Sequence, residues 1–354
     1  MRITTDELTD LYTEYLTCCC GAATATDMSR VLDNHVSHDK ITRLLSSGTI
    51  DERRLWLEAK PICEELSSSE SVLIIDDSIE EKPYTDANEM MQWHYDHTVG
   101  RSVKGVNFIS AIYHNTMSIP VGVKFVKKDI ETIDKQGKKK RKSSVSKHEH
   151  FRALVKQAAI NLDFKYVLSD CWFTCSENMS FVKEQMGLDF VMAIKENRKV
   201  ALSLQDKQQG KWISIKDIAP EGCVRTAYVE QLEFPILLCK QVFKNGDGSA
   251  GTLYLVASDL TLTHQQVTTI YQKRWKVEEY HKSIKSNMAF PKSPTQTIPS
   301  QQSHFIASII AFIKLEKLRM KTNHNHFSLK KLLLCKATQS AWHCLLDINN
   351  PKAA

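Results

Sequence analysis

Glycine and proline are scarce in this sequence, with 12 Gly and 9 Pro among 354 residues. This scarcity excludes collagen-like chains and the Pro- and Gly-rich low-complexity chains that stay disordered. The sequence also contains no internal repeat, which excludes a solenoid built from repeated units. Because 42% of the residues are hydrophobic, a chain of this length can bury a sizeable core, and we expect a folded globular protein.

Long apolar runs are missing as well. No stretch reaches the ~18 consecutive apolar residues that a membrane helix needs. The first residues, MRITTDELTDLYTEYL, contain acids and no apolar core of signal-peptide length. We therefore expect a cytoplasmic protein with no membrane partner.

The ten cysteines form no Cys-x2-Cys pair and no spacing typical of a disulfide framework. Cys18, Cys19 and Cys20 are adjacent in a predicted helix, where neighbouring side chains diverge too widely to share one zinc ion. Cys171 and Cys175 stand close enough in the sequence to approach each other. We expect buried, reduced thiols rather than a metal site or disulfides.

Two apolar runs lead directly into acidic residues. In SVLIIDDS the run ends at Asp76 and Asp77, and in YVLSD it ends at Asp170. Both runs are typical of buried strands that present carboxylates at their carboxyl ends. In an open α/β sheet, neighbouring strand ends can bring such acids to one metal site. The alternative for either acid alone is ordinary turn or helix-cap chemistry.

The segment YQKRWKVEEYHKSIK carries a second set of polar residues. On one continuous helix, Tyr271, Arg274, Glu278 and Lys285 fall within a ~60° arc of one face. A carboxylate can bind a hard cation there, while the Arg and Lys side chains donate hydrogen bonds to phosphate oxygens. The alternative is a solvated face laced with salt bridges.

The chain resembles the DDE transposases of the insertion sequence family four group from about Ser71 to about Leu318. The resemblance rests on IIDDSIEEKPY, WHYDHTVGRSVKGVNF, YVLSDCWF and YQKRWKVEEYHKSIK, the last with the Tyr-Arg-Glu-Lys signature. It implies three catalytic, metal-binding acids at Asp77 (with Asp76 as the alternative), Asp170 and Glu278. Asp77 is favoured because the small hydroxyl residue Ser78 follows it. The signature implies that Tyr271, Arg274 and Lys285 bind DNA phosphates.

The function implied by this resemblance is DNA transposition. It implies Mg²⁺ or Mn²⁺ as cofactor, with two ions, and cleavage at the insertion-sequence ends followed by strand transfer into target DNA. The implied partners are double-stranded DNA, as transposon ends and target, and a second copy of the chain in a homodimeric synapse on the bacterial nucleoid. The formal net charge of +6 and pI of about 8.7 fit a polyanionic partner.

Two other functions stay open. A metal-dependent DNA nuclease on the same fold could use the acids for hydrolysis alone. A non-catalytic DNA-binding protein derived from a transposase would recognise the ends without chemistry, and the complete acid set argues against it.

The sequence predicts an α/β protein with a ribonuclease-H-like mixed sheet and flanking helices, divided into four segments. Residues 1–68 form a helical N-terminal domain that binds DNA ends or acts as scaffold, with a helix interrupted near Pro61. Residues 69–195 form the first part of the core, residues 196–259 a β-rich insertion, and residues 260–354 the completion of the core with the catalytic-Glu helix and C-terminal helices. Within the core, three strands precede a helix over 147–161, a strand, a helix and a strand, with the first acid on the first strand and the second on the fourth.

A basic run, KQGKKKRKSSVSK, occupies residues 135–147. We expect a loop there, which neutralises DNA phosphates without reading sequence or is simply solvated.

Overall fold

The computed structural model describes residues 3–68, 70–133, 137, 139–244, 246 and 248–349. The helices are α1 Thr5–Cys18, α2 Ala25–Val31, α3 His38–Ser46, α4 Glu52–Glu65, α5 Lys147–Asn161, α6 Ser176–Ser180, α7 Leu204–Gln208, α8 Ile215–Ile218, α9 His264–Gln272, α10 Trp275–Asn287, α11 Ile298–Thr322 and α12 His326–Asn349. A π-helical turn, Phe181–Gln185, follows α6, and a 3-10 turn, Phe290–Lys292, precedes α11.

The strands are β1 Val72–Glu81, β2 Gln92–Asp96, β3 Arg101–His114, β4 Ser118–Phe125, β5 Ile130–Ile133, β6 Lys139–Lys142, β7 Tyr166–Ser169, β8 Asp189–Ala193, β9 Lys199–Val200, β10 Ile213–Ser214, β11 Arg225–Ala227, β12 Ile236–Lys244 and β13 Ala250–Ala257. The described residues fall into two compact units. The first unit comprises 1–59, 79–106 and 279–354, and the second comprises 60–78 and 107–278.

Side-chain caps determine where two helices of the second unit begin. Ser146 Oγ accepts a hydrogen bond from the Glu149 N–H at 3.2 Å, and the Glu149 carboxylate accepts one from the Ser146 N–H at 2.7 Å, just before α5. Thr263 and Gln266 make the same reciprocal pair before α9. Each pair satisfies two N–H groups that the first helical turn leaves without partners. Helix α5 therefore begins at Lys147, as the sequence predicts.

The second unit contains the predicted ribonuclease-H-like sheet. Its core strands lie in the order β4-β3-β1-β7-β8, with β3 and β4 antiparallel and with β1, β7 and β8 parallel. The hairpin between β3 and β4 turns at residues 115–117. The residues of β1 from Val72 to Ile75 and the apolar residues of β7 are buried, as expected for parallel strands covered on both faces. The mixed α/β fold class is confirmed.

Strands from the predicted β-rich insertion continue this sheet. Strand β13 pairs antiparallel with β8, β12 pairs with β13, and β11 pairs with β12. These strands therefore extend the core sheet beyond β8. The four-segment division of the chain stays a prediction, because the two compact units cut the sequence at other positions.

The first unit is built on helix α11. Residues of this helix from Phe305 to Phe312 are buried without interruption, and α1 and α3 pack against it. Burial of each large apolar side chain contributes about 1.5–3 kcal/mol. The hydroxyl of buried Tyr12 and Nδ1 of buried His304 form a 2.8 Å hydrogen bond between α1 and α11. The N-terminal helices are thus packed onto this C-terminal helix.

Three expectations about local structure are wrong. The segment from Tyr271 to Lys285 is not one helix, because α9 ends at Gln272 and α10 begins at Trp275. Between them the Arg274 N–H bonds to Tyr271 O, a three-residue spacing that tightens the chain. Residues 139–142 of the basic run form strand β6 rather than a loop, while 135, 136 and 138 lie outside the described residues. Helix α4 continues through Pro61.

All ten cysteines are free. The expectation that they are buried holds for Cys19, Cys63 and Cys239, whereas five others are exposed. Among the described residues, no helix combines the length and the apolarity that crossing a membrane would require.

Gly105 provides a test of the packing between β1 and β3. A Cβ at this position would lie 2.0 Å from Glu80 O, and a backbone carbonyl of a paired strand cannot move away cheaply. We expect Gly105→Ala to lower the free energy of unfolding by about 3 kcal/mol, measured by urea denaturation. Gly21→Ala is the control, since no described heavy atom lies within 4 Å of a Cβ there. Equal losses in the two variants would contradict this packing.

Candidate active site

The candidate acids stand where the pairing of two strands ends. Strands β1 and β7 run parallel, and their last paired residues are Ile75 and Ser169. Asp170 directly follows β7, as predicted, whereas Asp76 and Asp77 lie partway along β1, which continues to Glu81 instead of ending at these acids. The strand pairing therefore brings these acids side by side, as the sequence predicts for neighbouring strand ends.

Asp76 is the most deeply placed of the acids, with 14% of its side chain exposed. Burial, reinforced by the charge of Asp170, raises the pKa of Asp76 to about 8, although the Arg274 guanidinium opposes the shift. That guanidinium lies 3.4 Å from Asp76 Oδ2. The Asp77 N–H donates to Asp76 Oδ1 at 2.9 Å. Asp76 is thus held in a site where negative charge is costly unless a cation is near.

Asp77 has partners different from those of Asp76. Lys147 Nζ donates to Asp77 Oδ2 at 2.6 Å, and Asn107 Nδ2 donates to the same oxygen at 3.3 Å. Both adjacent acids therefore reach the site, each with its own cation. The structure leaves the choice between Asp76 and Asp77 as first metal ligand open, and the preference for Asp77 stays a prediction.

Asp170 makes the turn contacts that the sequence offers as one of its two roles, and its role as a metal ligand stays a prediction. Its Oδ1 accepts hydrogen bonds from the Trp172 N–H at 3.1 Å and the Phe173 N–H at 3.4 Å, which is ordinary turn chemistry. Burial and the charge of Asp77 raise the pKa of Asp170. The turn therefore fixes this carboxylate at the end of β7, within the field of both other acids.

Arg274 links the strand ends to Glu278. Its guanidinium donates to Glu278 Oε1 at 2.5 Å and also contacts Asp76. The ring of buried Tyr271 lies 5.6 Å from the guanidinium carbon, within range of a cation–π contact. Tyr271, Arg274 and Glu278 are therefore brought together with Asp76, even though the helix expected to carry them is broken.

Lys285 belongs to the first unit. Its Nζ donates to Ile79 O at 2.6 Å and lies 3.5 Å from Glu80 Oε2. Its predicted role in binding phosphate stays a prediction.

Two residues at the site, Lys147 and Asn107, were not among the predicted site residues. Lys147 closes the basic run, and Asn107 interrupts the apolar run VKGVNFISAIYH. A polar amide in a buried strand needs a hydrogen-bond partner, so Asn107 carried a signal that points to a polar site beside β3. Nothing in the sequence singled out Lys147 from the other lysines of its run.

The donor chemistry fits a hard divalent cation. Such ions prefer carboxylate and amide oxygens. Asp76, Asp77 and Asp170 supply the carboxylates, and burial raises the pKa of Asp76 and of Asp170. The side-chain amide of Asn107 contacts Asp77, and its buried Oδ1 has no hydrogen-bond partner among the described residues. A cation at this position would relieve both the crowded negative charge and the unpaired oxygen.

The described residues do not group three His, Cys, Asp or Glu side chains closely enough to hold an ion. Instead, cationic side chains contact the candidate acids. Lys147 contacts Asp77, and Arg274 contacts both Asp76 and Glu278.

The raised pKa of Asp76 predicts how stability changes with pH. Between its ordinary pKa of 3.8 and about 8, the folded state binds more protons at Asp76 than the unfolded state, so stability falls as pH rises through this window. Asp76→Asn cannot titrate. Relative to the unsubstituted chain, we expect it to gain about 1–3 kcal/mol in unfolding free energy between pH 5 and pH 8, measured by urea denaturation with a metal chelator.

Asp259→Asn is the matched control. Despite partial burial, hydrogen bonds from Thr261 and Tyr166 lower the pKa of Asp259. Its contribution to stability is therefore lost only in acid, and its effect should be the same at pH 5 and pH 8. The expectation for Asp76 is contradicted if both variants show the same pH dependence.

A search of curated proteins finds no match. Among solved structures, the Drosophila P element transposase strand transfer complex is similar over 61% of this chain and 48% of that chain, with 10% identity and a TM-score of 0.27. The chain thus spans about half the length of that transposase, and so weak a likeness carries no argument.

The family comparison is more extensive. A model described as DDE superfamily endonuclease matches residues 4–220, which is more than half of the chain. The match includes Asp76, Asp77 and Asp170 and ends before Glu278. With acids at the paired ends of β1 and β7, this chain belongs to the DDE superfamily endonuclease family.

Proposed function

We propose that this chain is a DNA transposase that cuts at the ends of an insertion sequence and joins them to target DNA. The observation that carries the proposal is the acidic site itself. Asp76, Asp77 and Asp170 meet at paired strand ends, and Arg274 connects them to Glu278. Burying several carboxylates together lowers the stability of the fold, so such a cluster indicates a functional site. The Tyr-Arg-Glu-Lys spacing in the sequence supports transposition in particular.

Asp77, Asp170 and Glu278, with Asp76 as the alternative first ligand, would hold Mg²⁺ or Mn²⁺, two ions in all. When bound, such ions activate a water or a DNA 3′-hydroxyl and stabilise the leaving 3′ oxygen. The carboxylates of this chain orient that centre. Their placement at a rigid sheet edge holds the reacting phosphate in one position, which is the main contribution a protein makes to phosphoryl transfer.

The cations of the Tyr-Arg-Glu-Lys signature would bind DNA phosphates. Arg274 already donates to two carboxylates, and a guanidinium has further N–H groups for a phosphate. The buried ring of Tyr271 supports the guanidinium from one side. Lys285 would bind phosphate of the transposon end. Double-stranded DNA is then the partner, as end and as target, and two chains form the synapse because two ends must be joined.

A DNA nuclease on the same fold is the second candidate. The description of the matching family, DDE superfamily endonuclease, favours it. Both functions need the same acids for cleavage, and they differ in whether a DNA 3′-hydroxyl can replace water. A non-catalytic DNA-binding protein is less well supported, since binding phosphate does not call for buried acids beside it.

Substitution of the acids tests the catalytic assignment. We expect Asp170→Asn and Glu278→Gln to lower Mg²⁺-dependent cleavage of the element's end DNA by at least about 100-fold, because each removes charge that compensates the metal. DNA binding in a mobility-shift assay should stay within about twofold of the unsubstituted chain. Comparison of Asp77→Asn with Asp76→Asn identifies the first ligand. If Glu278→Gln cuts normally, the α10 acid has no part in the chemistry.

A pre-cleaved DNA end separates transposase from nuclease. We expect the chain to join a 3′-hydroxyl end to a target plasmid in Mg²⁺, because the activated oxygen can come from DNA as well as from water. A 3′-deoxy end of the same sequence is the control. Hydrolysis of the DNA without any joined product would establish the nuclease instead.

A further inference from the structure

Lys147 is the cation that contacts Asp77, and its position is fixed by local structure. It is the first residue of α5, directly after the Ser146 cap. Its Nζ lies 2.6 Å from Asp77 Oδ2, and only 23% of the lysine side chain and 20% of the aspartate side chain are exposed. A charge-assisted bond this short and this shielded is stronger than a surface ion pair.

The same ammonium reaches the segment that bears the second acid. Nζ lies 5.1 Å from the centre of the Trp172 ring, two residues after Asp170. Trp172 in turn stacks on His148, with ring centres 4.7 Å apart and an angle of 6° between the planes. The indole is therefore held flat beneath the ammonium, which keeps a favourable cation–π contact even without the carboxylate.

An ammonium and a divalent cation compete for the negative charge of one carboxylate. Lys147 lies on Asp77 Oδ2, and two cations at such a short distance repel each other strongly in a partly buried site. Binding of a metal ion to Asp77 therefore favours release of Lys147. The displaced ammonium can stay on the nearby Trp172 ring. It then lacks an anionic partner, and a DNA phosphate can supply one.

We propose that Lys147 is a positioning residue that serves as the internal counter-ion of Asp77 until a divalent cation replaces it, and that it then binds a DNA phosphate from the Trp172 face. The proposal rests on the proposed function, in which Asp77 is a metal ligand. It links metal binding to DNA binding through one side chain, because the carboxylate and the phosphate compete for the same ammonium.

The first test measures metal binding without catalysis. The full chain is titrated with Mn²⁺, and separately with Ca²⁺, while its thermal unfolding midpoint is followed. We expect Lys147→Met and Lys147→Gln to reach half of the metal-induced rise at about tenfold lower metal concentration, because the competing ammonium is gone. Lys147→Arg, which keeps the charge, should stay near the unsubstituted chain.

Lys183→Met is the matched control, since Lys183 forms a comparable 2.7 Å ion pair with Asp189 in the same unit. It should leave the metal half-point unchanged. An unchanged half-point in both Lys147→Met and Lys147→Gln overturns the proposal, and so does a lack of any metal response in these variants. If instead Asp77→Asn responds to metal as the unsubstituted chain does, Asp77 is not a metal ligand. The proposed function is then wrong in the role that it gives to this residue.

The second test addresses the phosphate. In Ca²⁺, the dependence of log K for end DNA on log salt should become shallower by about one unit in Lys147→Met, because one phosphate contact is lost. With a chelator in place of Ca²⁺, the two slopes should agree, since Lys147 then stays on Asp77. Equal slopes in Ca²⁺ would overturn the phosphate role.

Discussion

Negative charge buried where the pairing of β1 with β7 ends is the constraint on which the site depends. The strand register puts Asp76 beside Asp170, and the chain continues at once into Asp77. Three carboxyl groups at such a place are stable only with nearby cations or bound protons. Lys147 and Arg274 supply the cations, and the raised pKa of Asp76 allows this carboxyl to bind a proton. These neighbours therefore offset charge that the fold would otherwise leave uncompensated.

Much of the fold can be predicted from the sequence because its signals are local. Apolar runs that end in acids identify β1 and β7, and the Ser146–Glu149 cap identifies the start of α5. The order of strands and helices then leads to the ribonuclease-H-like arrangement, since parallel strands need crossover helices. The neighbouring position of the acids follows from that order alone, before any side chain is placed.

The remaining features depend on contacts between residues far apart in the sequence. Asp77 and Lys147 are 70 residues apart, and no local pattern distinguishes this lysine from its basic neighbours. Strands β11, β12 and β13 come from the predicted β-rich insertion, and no local pattern in the sequence shows that they extend the core sheet through the pairing of β13 with β8. The break after α9 contains neither glycine nor proline, so the usual signals of a helix end are absent.

That break changes the surroundings of Glu278. On one long helix this residue would lie in the middle, where the dipoles of successive peptide groups leave no net charge. Because a new helix begins at Trp275, Glu278 lies in the first turn of α10, near the positive end of the helix dipole. Such a position favours a carboxylate by about 0.3–1 kcal/mol. The backbone itself thus helps to hold Glu278 as a carboxylate beside Asp76, Asp77 and Asp170, with a contribution that does not depend on Arg274.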